Sequence, residues 1–143
     1  MGTWDVGPFD NDTAADFSYT LDETAEGKRE GIIRSALARA VDTHGYLDHD
    51  ISVEAIAAAA LVAAQCPGGE PITTAYGPDL PIPKLPTDLR ELAVHALDRV
   101  VTEPSELMEL WGESDEDGPW RATLSQLRNA LLPPAPGEQL SLI

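Results

Sequence analysis

The chain has 143 residues, of which 43% are hydrophobic and 24% are charged. This length predicts one domain, and this composition is typical of a globular protein with its own apolar core. The net charge of −16 repels phosphate backbones and anionic headgroups, and no apolar run reaches the ~20 residues of a membrane span. We therefore predict no membrane association and no direct binding to nucleic acid.

Apolar residues recur at helical spacing in six segments, and no segment has the alternation of a strand. We predict helices over about residues 11–21, 24–43, 52–65, 88–101, 104–111 and 119–132. The third segment has a run of four alanines, which lets a neighbouring helix approach closely, so we expect this helix to be central. The sequence therefore predicts an all-α fold: a single compact bundle of about six helices over residues 1–132.

Local signals predict where several of these helices begin and end. Gly45 is expected to stop the second helix, and Ser52 is expected to be the N-cap of the third. Pro104 suits the first turn of the fifth helix, whose Leu110 should face the core. His95 lies among apolar residues of the fourth helix and is predicted to be a partly buried histidine rather than a general base.

Two stretches interrupt the helical pattern. Residues 67–86 contain six prolines and three glycines, which predicts a long extended loop. Residues 133–143 follow the last helix and are predicted to form an extended C-terminal tail. Cys66 is the single cysteine, and a small residue at a helix end is expected there rather than a nucleophile. The lack of a signal-peptide pattern and of cysteine pairs predicts a cytoplasmic protein.

The chain opens with the pattern Met-Gly-x-Trp-x-x-Gly-Pro-Phe-Asp-Asn-Asp. This opening resembles that of the bacterial domain-of-unknown-function family 4259. Residues 54–59, residues 105–111 and the following Trp120 also resemble that family. The resemblance implies an all-α fold over residues 1 to about 132 and leaves the activity open.

The opening motif itself favours a structural role. A fixed Gly-Pro turn, two large apolar anchors and three helix-capping side chains would hold an N-terminus that otherwise frays. The residues with this role are Trp4, Gly7, Pro8, Phe9, Asp10, Asn11 and Asp12.

The alternative is a cation site, because carboxylates at helical spacing can bind Mg²⁺ or Ca²⁺. With two nearby histidines, such a site would make the chain a small metal-dependent hydrolase. Its ligands would be Asp10, Asp12, Asp16, His44 and His49. Because the sequence has no established metal-binding or catalytic motif, we predict no metal, no other cofactor and no catalytic residue.

The chain stops on Gln-Leu-Ser-Leu-Ile, directly after a short Pro-rich spacer. This ending resembles the pentapeptide with which bacterial proteins dock on the replication sliding clamp. The resemblance implies a polar anchor at Gln139 and apolar anchors at Leu140, Leu142 and Ile143. The alternative is a tail that covers an apolar patch on its own domain or on a second copy in a homodimer.

Three functions follow from these patterns. The first is a non-enzymatic protein-interaction or regulatory domain that binds another protein, with the tail and the Pro-rich loop as its contact surfaces. The second is docking on a sliding clamp through the tail, and the third is the metal-dependent hydrolase. A further possibility is an acidic decoy that neutralises a basic partner, since the net charge is −16.

Overall fold

Six helices make up the computed structural model, which describes residues 12–65, 85, 88–102, 104–112 and 117–131. They are α1 (Asp12–Glu23), α2 (Glu26–Val41), α3 (His49–Ala64), α4 (Asp88–Val100), α5 (Glu106–Gly112) and α6 (Asp117–Leu131). The predicted all-α helical fold is therefore confirmed. Over the described residues, the sole extended pairing is one isolated parallel bridge between Leu47 and Ser105.

The third helix forms the centre of the bundle. Helices α2 and α4 pack on α3 and on each other, while α1, α5 and α6 complete the layer around it. Its residues 55–63 are all buried, so the helix is apolar on every side rather than along one stripe. A helix with this composition must lie inside the protein. Its alanines let the surrounding helices approach closely, and large side chains such as Leu37 and Leu89, both fully buried, fill the space between them.

Two predicted helix ends are wrong. The second helix ends at Val41, and the amide of Asp42 donates to the carbonyl of Ala38 at 2.8 Å. Gly45 lies beyond this end and does not have left-handed backbone geometry. Ser52 is not the cap of α3, because the helix begins one turn earlier and Asp48 is the N-cap residue.

The fifth helix also begins later than predicted. Pro104 lies outside it, and the hydroxyl of Ser105 accepts a hydrogen bond from the amide of Met108 at 3.4 Å. Leu110 was expected to face the core but is 49% exposed. Trp111 is buried, and its ring stacks on that of the buried Trp120 with centroids 5.7 Å apart.

Arginine side chains bind the ends of helices. Arg29 is buried, and its Nε donates to the carbonyls of Leu21 and Thr24, both at 3.0 Å. The Nε of Arg90 donates to the carbonyl of Leu131 at 3.1 Å. Carbonyls at a helix C-terminus lack intrahelical donors, so a cationic side chain both satisfies them and suits the helix dipole.

Ion pairs then join the outer helices to their neighbours. Arg34 on α2 bonds Asp88 on α4 at 2.8 Å, and this contact with Arg34 holds the pKa of the Asp88 carboxyl below its usual value. Arg128 on α6 bonds Asp98 on α4 at 2.7 Å. In the described segments, no helix is long and apolar enough to cross a bilayer.

Candidate protein-interaction site

The loop between α2 and α3 meets the loop between α4 and α5 at one end of the bundle. The amide of Leu47 donates to the carbonyl of Pro104 at 3.1 Å, and the amide of Glu106 donates to the carbonyl of Leu47 at 2.9 Å. The Leu47 side chain is fully buried in the core, as is Ser105. The two loops are therefore joined both by backbone pairing and by apolar packing.

Arg99, at the end of α4, reinforces this junction. Its guanidinium donates to the carbonyl of Thr43 at 3.1 Å and to that of Gly45 at 2.6 Å, both in the first loop. It also donates to the carbonyls of Thr102 at 2.8 Å and Pro104 at 3.2 Å, in the second loop. The five donors of a guanidinium form a rigid fork, so one side chain can fix several carbonyls at once.

Glu106 on α5 caps the N-terminus of the central helix α3, although the two are far apart in the sequence. Its Oε1 accepts a hydrogen bond from the amide of His49, the first residue of α3, at 2.8 Å. Asp48 is the N-cap by position, yet its side chain makes no capping hydrogen bond. A carboxylate at a helix N-terminus satisfies an otherwise unpaired N–H and suits the positive end of the dipole.

Tyr46 lies on the outer side of the junction. The residue is 49% exposed, and its hydroxyl donates to Oε1 of Glu109 at 3.2 Å. Partial removal from water, the hydrogen bond to Glu109 and the negative charges of Glu109, Glu106 and Asp48 raise the pKa of the Tyr46 phenol. The phenol therefore stays protonated at neutral pH and acts as a hydrogen-bond donor.

Leu110 extends this surface along α5. Glu106, Glu109 and Leu110 are three and four residues apart, which places them on one side of the helix. Leu110 is 49% exposed, and Asp48 is also exposed. We call this surface the Tyr46 face, and its members are Tyr46, Asp48, Glu106, Glu109 and Leu110.

The structure does not group the described ligands of the alternative cation site. Asp16 is exposed on α1, and His44 is exposed in the loop after α2. The Nδ1 of His49 lies 2.9 Å from Oδ1 of its neighbour Asp50. Among the described residues, no three His, Cys, Asp or Glu side chains come together in a way that could hold a metal ion. His95 is exposed, so the prediction that it is partly buried is wrong.

Other predicted residues lie outside the described part of the chain. They are Trp4, Gly7, Pro8, Phe9, Asp10, Asn11, Cys66 and the tail residues Gln139, Leu140, Leu142 and Ile143, together with the side chain of Asp12. Of the Pro-rich loop, Leu85 alone is described: it is buried, and its amide donates to Oε1 of Gln65 at 2.9 Å.

The sequence analysis did not predict that the residues of the Tyr46 face share one surface. Arg99 and its four carbonyl partners leave no pattern in the sequence, because any residue has a carbonyl. Glu106 and His49 are 57 positions apart, so their capping contact is decided by the fold. A weak signal was present at Tyr46, since an aromatic residue between a glycine and a helix start has no helix face to bury it.

These features define a small, acidic, all-α domain with an exposed aromatic and aliphatic surface at one end. The family model described as Domain of unknown function (DUF4259) matches residues 2–123. The chain therefore belongs to this family, as its opening motif predicted. No curated protein and no solved structure matches the chain significantly.

Proposed function

We propose that the protein is a non-enzymatic protein-interaction or regulatory module of the cytoplasm, and that the Tyr46 face is its docking surface. The observation that carries this proposal is an exposed aromatic ring and an exposed leucine on a backbone fixed by Arg99. Tyr46 and Leu110 are each about half exposed, so a partner could remove substantial apolar area from water. Aromatic side chains are enriched in the energetically dominant parts of interfaces.

The fixed backbone also favours binding. Association has an entropic cost when loops and side chains must become ordered. Here the loop that carries Tyr46 is already paired to the α4–α5 loop through Leu47, and Arg99 bonds carbonyls on both loops. A surface that is ordered before binding loses less conformational freedom when the partner arrives.

Site-specific photo-crosslinking inside the cells that naturally make this protein tests the proposed function. A photoreactive phenylalanine analogue replaces Leu110 in the full chain, and the same analogue replaces Ala122 as a control on the exposed side of α6. We expect a discrete adduct from position 110 that position 122 does not give, and mass spectrometry of the adduct identifies the partner. The absence of an adduct, or identical adducts from both positions, would contradict the proposal.

A second candidate function is docking on a replication sliding clamp through residues 139–143. The observation that favours it is the Gln-Leu-Ser-Leu-Ile pattern after a Pro-rich spacer. The test is fluorescence polarisation of a labelled peptide of residues 133–143 with a purified bacterial clamp, competed by the full chain. Binding should be lost when Gln139→Ala and Leu142→Ser are combined, and a scrambled peptide should not bind. Equal binding by the scrambled peptide would exclude a specific motif.

A further inference from the structure

The Tyr46 face combines an exposed aromatic ring with closely spaced negative charges. The phenol donates to Glu109 at 3.2 Å, and the carboxylates of Glu106 and Asp48 also act on it electrostatically. Glu109 and Asp48 are exposed, and Leu110, which follows Glu109 on α5, adds half-exposed apolar surface. This combination is more specific than an acidic patch, because it offers a ring face, carboxylate oxygens and an aliphatic side chain together.

The guanidinium of Arg99 lies at this junction and donates its hydrogen bonds to backbone carbonyls. Arg99 donates to the carbonyls of Gly45 at 2.6 Å and Thr102 at 2.8 Å, as well as to those of Thr43 and Pro104. These hydrogen bonds go to the two loops of the junction, not to the carboxylates of Glu106, Glu109 and Asp48. The negative charge of the face remains available to a positively charged ligand.

A guanidinium or ammonium group matches this surface chemically. Cations are attracted to the face of an aromatic ring, and nearby carboxylates add ion pairing and hydrogen bonds. The net charge of −16 would also accelerate encounters with a basic partner. A neutral apolar partner would remove water from the exposed carboxylates of Glu109 and Asp48 without supplying an opposite charge.

We propose that the Tyr46 face binds a basic segment of a partner protein. In this complex an Arg or Lys side chain stacks on the Tyr46 ring within reach of the Glu109 carboxylate. A neighbouring apolar side chain of the partner packs on Leu110. This inference rests on the proposed interaction function and adds the chemistry of the partner.

The test is an NMR titration of the full chain with a defined probe, a capped eight-residue peptide of alternating arginine and leucine. A peptide with glutamate in place of arginine is the matched control. We expect amide shifts concentrated at residues 46–48 and 106–110 with the basic peptide, and none with the acidic one. Tyr46→Leu should weaken binding by about two- to five-fold, as expected for loss of an exposed cation–π contact.

Variants separate the ring and charge contributions from general electrostatic attraction. Tyr46→Phe keeps the ring and should bind nearly as well as the original chain, whereas Glu109→Gln should weaken binding. The controls are Tyr19→Leu and Glu91→Gln, which alter an exposed tyrosine on α1 and an exposed glutamate on α4. Shifts spread over α4 and α6, or equal weakening by these controls, would overturn the proposal.

The outcomes also distinguish this inference from the function on which it rests. If the basic peptide fails to bind but position 110 still gives a specific adduct, the partner is not basic and the interaction function stands. An adduct between two copies of this chain would likewise overturn a basic partner, because the two acidic faces would repel. If the peptide and the crosslink both fail, the proposed function is wrong as well.

Discussion

The central helix and the loop junction are stabilised by different physical interactions. Residues 55–63 of α3 are buried all round, and this region is held by apolar contact between small and large side chains. The junction also buries Leu47, but it depends in addition on one arginine that bonds four carbonyls, on a short backbone pairing and on a carboxylate cap. Packing alone fixes the centre of the fold, whereas hydrogen bonds to the backbone and the burial of Leu47 together fix the shape of its exposed end.

This difference explains why the exposed end can carry a binding surface. A loop stabilised by apolar burial alone would have to turn all of its aromatic and aliphatic side chains inward. Because Arg99 and Glu106 satisfy the backbone at the junction, Tyr46 and Leu110 can remain half exposed on an ordered loop and helix. Substitutions that disrupt the packing should therefore change the free energy of unfolding by a different amount from substitutions that disrupt the hydrogen bonds.

The largest effect is expected in the packed region. Leu89→Ala removes a fully buried side chain on α4 and should lower the free energy of unfolding by about 2–5 kcal/mol, through lost burial and a cavity. Leu110→Ala, at a position that is 49% exposed, should change it by less than ~0.5 kcal/mol. Urea denaturation followed by circular dichroism measures both. Similar losses from the two variants would show that Leu110 belongs to the core.

A smaller effect is expected when the junction loses its arginine. Arg99→Met keeps much of the side-chain volume but removes the bonds to four carbonyls, and should lower stability by about 1–3 kcal/mol. Arg39→Met breaks an exposed ion pair with Glu54 and should cost less than about 1 kcal/mol. Hydrogen exchange of the amides of residues 43–48 should increase in the Arg99 variant only. Unchanged exchange there would contradict the role given to Arg99.

Two fully buried serines should respond in opposite directions to the same substitution. The hydroxyl of Ser105 accepts from the amide of Met108, so Ser105→Ala should lower stability by about 0.5–2 kcal/mol. Among the residues that the structure describes, none bonds the hydroxyl of Ser52, so Ser52→Ala should raise stability by about 1 kcal/mol. Thermal denaturation of the two variants tests this contrast. A destabilised Ser52→Ala would show that its hydroxyl is bonded after all.

Substitutions at the Tyr46 face are expected to have the smallest effect on stability. The quantity to measure there is the pKa of the Tyr46 phenol. Glu109→Gln removes a hydrogen-bonded carboxylate and should lower the pKa of Tyr46, although partial burial would keep it above the ordinary value. The ¹³C shift of the Tyr46 Cζ during an alkaline titration measures this change. Glu91→Gln, at an exposed position on α4, is the control and should leave the Tyr46 pKa unchanged.

The raised pKa of Tyr46 also has a consequence for stability at high pH. The folded state holds the phenolic proton more tightly than the unfolded state does. The stabilisation is therefore complete below the ordinary tyrosine pKa and is lost as pH rises through the folded value. Tyr46→Phe should remove this part of the alkaline decline, and an unchanged decline would contradict the assignment.

The amino-acid sequence by itself determined the helices and the central position of α3. Apolar residues at helical spacing and a run of alanines act locally or along one face, so periodicity predicts them within a few residues. The prediction from periodicity failed at helix ends where a residue distant in the sequence supplies the hydrogen bond. Ser52 looked like a cap, but Glu106 caps α3 from 57 positions away. Gly45 looked like a helix stop, but its carbonyl is bound by Arg99.

Only the tertiary structure decided the candidate site. Tyr46 and Glu109 are 63 positions apart in the sequence. Leu110 is an apolar residue of the kind usually found in a core, but it is half exposed. Hydrogen bonds to backbone carbonyls depend on where the loops lie in space rather than on the side chains those loops carry. The sequence therefore specified which segments form helices and pack together. The contact between two loops, which only the fold brings about, specified which polar and apolar groups share an exposed surface.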